Sequence, residues 1–157
     1  MRLLSSGERP YRIVCPRRLV EDFKRVALDR HPREAYAVFF GRFEGTKVDI
    51  QDVWYPEDQG KFATTSAIET IAGRPAWWMK ALDIADSGGL EIVGDIHSHP
   101  ETDPKRLKDP SPSYADWKIY QGPKWIRAIC VVCKRPRSVK FRVTFWPPLL
   151  KAIVRYK

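Results

Sequence analysis

Apolar and polar positions change period several times along the chain, and each change marks an element. Tyr11 to Cys15 alternates as a half-buried strand does. Leu19, Val20, Phe23, Val26 and Ala27 then recur at the spacing of one helical face. His31-Pro32 ends that helix, because a proline ring pushes the residue before it out of the right-handed helical region. Ala35 to Phe40 is a continuous apolar run closed by Gly41, and Lys47 to Tyr55 alternates again. The two are predicted to pair as an antiparallel hairpin around Phe43-Glu44-Gly45-Thr46. Ser66 to Ala85 has helical character, with Ile68, Ile71, Trp78, Ala81 and Leu82 on one side and a break at Gly73-Arg74-Pro75. Of the adjacent Trp77 and Trp78, only one fits that stripe.

Ser87-Gly88-Gly89 stops the helix, and Leu90 to Ile96 reads as a buried strand leading directly into His97-Ser98-His99-Pro100. A Pro-rich loop follows from Glu101. A helix start is expected at Ser111-Pro112, since proline suits the first helical position. Trp125 to Cys133 and Val139 to Phe145 are two more strands joined by a basic turn, Lys134 to Arg137. Leu149 to Tyr156 supplies a last strand or short helix. The order of elements is mixed α/β (α+β). With no repeat, low-complexity tract or Gly/Ser linker, residues 1–157 are expected to form a single domain.

Composition narrows the class. Among 157 residues, 43% are hydrophobic and 12% aromatic, enough to bury a core and to exclude a wholly disordered chain. The longest apolar run is a handful of residues, far short of the roughly 20 that span a bilayer, so no membrane partner is expected. The opening MRLLSSGERP offers only Leu3 and Leu4 as an apolar stretch, which leads us to expect a cytoplasmic location. Cys15, Cys130 and Cys133 have no disulfide-framework spacing and are expected as thiols. Twenty-eight Lys and Arg against 19 Asp and Glu leave a net charge of +9, which suits an acidic protein or nucleic acid without specifying any chemistry.

Chemistry enters at His97 and His99. Residues i and i+2 of an extended segment point to the same side, so two imidazoles at this spacing can converge on one ion. Downstream, Ser113 and Asp116 stand at i and i+3 of the expected helix and share a face. Ser111 before Pro112 is the better helix cap, which leaves the Ser113/Asp116 pair available for a metal. His97, His99 and Asp116 make three ligands. Zinc held by three protein groups keeps a fourth position for water and lowers the pKa of that water to roughly 7. Hydrolysis then needs a base to take the proton and return it to the leaving amine. Glu34 is the candidate, because it stands at the junction between a loop and the apolar strand in PREAYAVFFG.

These residues resemble the signature of the JAB/MPN/Mov34 metalloenzymes, also called JAMM peptidases: an early Glu, then H-x-H-P, then S-x-x-D. The chain offers Glu34, HSHP at 97 to 100 and PSYAD at 112 to 116 in that order, and the order of its elements is similar over nearly its whole length. The resemblance implies a JAB/MPN-like (cytidine deaminase-like) mixed sheet flanked by helices. It implies one zinc per chain on His97, His99 and Asp116 with water as fourth ligand, Glu34 as general acid/base and Ser113 as the hydroxyl steadying the oxyanion. The implied substrate is a ubiquitin-like protein or its conjugate, cleaved after its C-terminal glycine. The implied partners are activating and conjugating enzymes of a ubiquitin-like system, such as those encoded in anti-phage operons.

Two features depart from the family pattern. Thirteen residues separate His99 from Ser113, more than is common, so the loop Glu101 to Ser111 is expected to shape substrate entry. Ala35-Tyr36-Ala37 also stands where a Cys-Gly pair often follows the Glu.

Other constellations carry less. Cys130 and Cys133 point to opposite faces of an apolar strand, as buried structural thiols would. The zinc deaminases need H-x-E and P-C-x-x-C, whereas this chain has H-x-H, and Ile129 precedes Cys130. His31 is expected to interact with the dipole at a helix end. The DNA-repair-associated RadC proteins share H-x-H-P and P-S-x-x-D, but the hairpins with which they bind DNA have no match here, so nucleic acid ranks behind a protein substrate. A noncatalytic scaffold would be expected to have lost a ligand, and all five positions are filled.

Overall fold

The computed structural model describes residues 12–57, 71, 74–102, 126–146 and 153–157. Strand β1 (Arg12–Cys15) turns Ile13 and Cys15 inward and passes through Pro16 into helix α1 (Arg17–Arg30). Leu19, Val20, Phe23 and Ala27 of α1 are buried, and Val26 packs at their edge, so the face set by the periodicity is the face that packs. The helix ends where proline requires it. His31 is extended, at φ −51° and ψ 132°, and its N–H still donates to the Leu28 carbonyl.

β2 (Tyr36–Glu44) and β3 (Lys47–Trp54) form the expected hairpin, with Gly45 at φ 63° in the turn between them. Helix α2 (Pro75–Gly88) begins on its proline and stops at Gly89, which is left-handed and donates to the Ala85 and Asp86 carbonyls. Then follow β4 (Glu91–Glu101), β5 (Ile126–Arg135), β6 (Ser138–Trp146) and β7 (Ile153–Tyr156). The last segment, open between strand and helix on sequence grounds, is a strand over residues 153–156.

Seven strands form one mixed sheet in the order β6-β5-β4-β2-β3-β1-β7. β4 and β5 run parallel, as do β1 with β3 and β1 with β7, and the remaining pairs are antiparallel. One face carries α1 over a core of Ile13, Phe39, Ile50, Ile96, Ala128, Cys130, Val132 and Phe145. The opposite face carries α2 over Tyr36, Val38 and Phe40.

Two expectations shift. The buried stripe of α2 is Trp77, Ala81 and Ala85, whereas Leu82 is 37% exposed and Trp78 packs only at the margin. The Trp77 ring stacks on Tyr36 with centroids 5.9 Å apart, and Ala81 and Ala85 follow it at i+4 and i+8, so this aromatic pair sets the helix rotation. The strand expected to stop at Ile96 also runs on to Glu101. β5 pairs with it in register from Gly94↔Ile126 to Glu101↔Cys133, which makes the HSHP segment part of the ladder.

Candidate metal centre

Strand alternation decides which β4 side chains meet. Ile96 packs into the α1-side core, so Asp95, His97 and His99 face the other way, onto the side where Tyr36 packs beneath α2. The register confirms the face, since Tyr36 lies directly across from His97. His97 is 3% exposed and His99 half-buried. Their rings meet edge-on with centroids 4.7 Å apart, and the two Nε2 atoms approach to 2.9 Å.

Two nitrogens each about 2.0–2.1 Å from one tetrahedral zinc would stand roughly 3.3 Å apart, so this convergence fits a shared cation with a small adjustment. The donor chemistry fits as well, because imidazole is a zinc ligand and the β4 ladder fixes the backbone from which both rings project. A complete ligand set needs a third group. No cluster of three or more His, Cys, Asp or Glu that could hold a metal occurs among the described residues. Asp116 and Ser113, expected as ligand and oxyanion donor, lie outside them, as does the loop beyond Thr102.

Glu34 sits in the connection between α1 and β2 and is 9% exposed. The β2–β4 register ends at Tyr36↔His97, and continuing it two residues would set Glu34 across from His99. That continuation is real at Ala35, where the Ser98 N–H donates to the Ala35 carbonyl at 3.0 Å and the Ala35 N–H donates to Ser98 Oγ at 2.7 Å. From the α1 side, Arg30 Nε donates to the Glu34 carbonyl at 3.1 Å. The structure therefore brings Glu34 to the strand end that bears the histidine pair.

Beneath the histidines lies a charged network that sequence reasoning missed. Arg127 of β5 donates to both oxygens of Asp95, Nε to Oδ1 at 3.0 Å and Nη2 to Oδ2 at 2.8 Å. Tyr36 Oη donates to Asp95 Oδ2 at 2.9 Å and accepts the Ile71 N–H at 3.2 Å. Burial, reinforced by the Asp95 charge, pushes the Tyr36 hydroxyl well above its ordinary pKa, so it stays protonated and can donate. The available signal was a lone charge inside each of two apolar strands, Asp95 in IVGDIHSH and Arg127 in IRAICVV. Their pairing needs the β4–β5 register, in which they stand side by side.

The remaining candidates fall elsewhere. Cys15, Cys130 and Cys133 are buried free thiols, and Cys130 belongs to the core on the α1 side. The His31 ring reaches across to β4, with Nε2 3.4 Å from the Glu101 carbonyl, and so ties the end of α1 to the strand just beyond His99.

Residues 16–146 match the protein family described as prokaryotic homologs of the JAB domain. A protein of Desulfitobacterium hafniense, known from its solution structure, is similar at TM-score 0.64 with 18% identity, each chain covered to 92%. A JAB1/MPN domain protein from Archaeoglobus fulgidus is similar at TM-score 0.49 with 16% identity, covering 96% of this chain and 100% of that one. No curated protein matches the sequence significantly.

Proposed function

The chain belongs to the prokaryotic JAB-domain family, and from that premise we propose that it is a zinc-dependent isopeptidase or peptidase. Its proposed substrate is the amide or isopeptide bond after the C-terminal glycine of a ubiquitin-like protein. The observation that carries this reading is the convergence of His97 and His99 Nε2 at 2.9 Å, at the strand end to which the connection bearing Glu34 is tied through Ala35 and Ser98.

His97, His99 and Asp116 would hold the zinc. Its chemistry when bound is that of a Lewis acid, which polarises a carbonyl and makes hydroxide available near neutral pH. Glu34 takes the proton of the attacking water and returns it to the departing amine. Ser113 donates to the oxyanion as the carbonyl carbon becomes tetrahedral. The β2–β4 ladder fixes the histidine-bearing strand, and the Ala35–Ser98 bonds tie the connection that carries Glu34 to it, which reduces the reorganisation needed at reaction. The partner of the reaction is a ubiquitin-like protein or its conjugate, and an activating and conjugating enzyme pair would produce that substrate.

The test is turnover of the aminomethylcoumarin amide of ubiquitin by the zinc-loaded full chain beside Glu34→Gln. Wild type should release the fluorophore, and Glu34→Gln should lose activity by about 10²–10⁴-fold while retaining its zinc. Full turnover by Glu34→Gln, or none by the zinc-loaded wild type, would contradict the proposal.

A further inference from the structure

The carbonyl of Glu34 and the N–H of Ala35 are the two polar ends of one peptide group, and side chains from two different elements hold both. Arg30, in the last turn of α1, donates Nε to the Glu34 carbonyl at 3.1 Å. Ser98, the residue between the two histidines, accepts the Ala35 N–H on Oγ at 2.7 Å. In a regular antiparallel ladder that N–H would go to a backbone carbonyl of the facing strand. Here the serine hydroxyl takes that place at the rung where β2 begins, while the Ser98 N–H completes the rung on the Ala35 carbonyl at 3.0 Å.

Ser98 is 1% exposed and Ala35 fully buried, so neither bond competes freely with solvent. Desolvation of Arg30, with Arg33 nearby, lowers its pKa, as expected of a guanidinium drawn in toward the protein. A further link ties Arg33 N–H to the Arg30 carbonyl at 2.7 Å and closes the turn that carries Glu34.

We infer that Ser98 and Arg30 are positioning residues, clamping the Glu34–Ala35 peptide from both ends and so fixing Glu34 relative to His97 and His99. This rests on the reading of Glu34 as the general base. Ser98 serves this purpose because alternation turns it away from the histidines. The same three residues that would present two ligands to a metal on one face anchor the base's backbone from the other. A base misplaced by about 1 Å can cost about 10²-fold in rate, so the clamp acts on kcat rather than on substrate or metal affinity.

The experiment uses the full-length, zinc-loaded chain as wild type, Ser98→Ala, Arg30→Met, Arg30→Lys and Glu34→Gln. Three quantities are measured: zinc content, hydrogen exchange of the Ala35 amide by NMR, and kcat and KM on the aminomethylcoumarin amide of ubiquitin. Ser98→Ala should keep its zinc and KM, exchange the Ala35 amide faster, and lose kcat by about 10–10²-fold. Arg30→Met should also lose kcat, and Arg30→Lys, which keeps a donor, should recover part of it. Unchanged Ala35 exchange in Ser98→Ala, or faster exchange with kcat unchanged, would overturn the positioning role. If wild type itself is inactive, or Glu34→Gln is fully active, the reading of Glu34 as base fails and the inference falls with it. That outcome is distinguished by wild type and Glu34→Gln alone.

Discussion

At the scale of single residues, the candidate centre sets His97 and His99, converging at their Nε2 atoms, above side chains bonded to the strands around them. That His97 and His99 would share one face of a strand end, and that Glu34 would stand at the junction before an apolar strand, was legible in the sequence, because strand alternation and the apolar run after Glu34 fix both placements. The bond Ser98 accepts was not, because its hydroxyl is recognisable as a partner only once Ala35 is known to face it. The same holds for Asp95 and Arg127, whose charges are recognisable in sequence but whose bidentate pairing depends on which strands are neighbours. The thiols lead to a prediction at this scale. Burial pushes Cys15 and Cys130 up to about 12, so neither forms the nucleophilic thiolate near neutral pH. In the native chain at about pH 8, iodoacetamide should leave both unmodified, as read by mass spectrometry of proteolytic fragments, whereas unfolding in urea should expose both. Rapid labelling of either in the native chain would contradict this.

At the scale of elements, β4 is the organising strand. Gly94 permits β5 to approach it, since a Cβ at that position would stand 1.9 Å from the Ile126 carbonyl oxygen. Gly94→Ala should therefore displace β5 and destabilise the fold by about 1–3 kcal/mol or more, visible as a lower urea midpoint. An unchanged midpoint would mean that the strands do not approach so closely. The Asp95–Arg127 pair spans the same two strands at 1% and 5% side-chain exposure. Arg127→Met removes one partner and leaves a buried carboxylate uncompensated, at a cost of about 3–5 kcal/mol in the same measurement. A loss under about 1 kcal/mol would show that the pair is solvated in solution. Periodicity located the hairpin and α1 well, because each buries one clear face. It misplaced the buried stripe of α2 because the Trp77–Tyr36 stack, a tertiary contact, chooses between two adjacent tryptophans. It ended β4 early because His and Ser do not read as strand core, although parallel pairing with β5 continues through them.

At the scale of the whole molecule, a mixed sheet with α1 on one face separates a continuous apolar core from a second face that holds α2 and the histidine pair. The mixed α+β class was readable from the alternation of periods, and the sheet flanked by helices was implied by the family resemblance. The strand order was not, because parallel pairing of β1 with β3 and β7 joins segments distant in sequence. No described helix is long and apolar enough to cross a membrane. Burial also sets the alkaline limit of the fold. Cys15 and Cys130 rise from 9.0, and Tyr55 and Tyr156 from 10.0, each to about 12. With folded-state pKa values raised, the unfolded chain loses these protons first, so stability is fully present below about pH 9 and falls as pH rises toward about 12. Urea midpoints should decline across that window, and a flat profile would refute the assignment. The claim on which the proposed chemistry depends is that this sheet presents a metal site. The most direct measurement is zinc content by plasma mass spectrometry, on the full chain purified without added metal, beside a His97→Ala/His99→Ala double variant. The site predicts about one zinc per chain in wild type and almost none in the variant. A wild type that carries no zinc and cannot be loaded with it would contradict the metal centre and the hydrolytic function together.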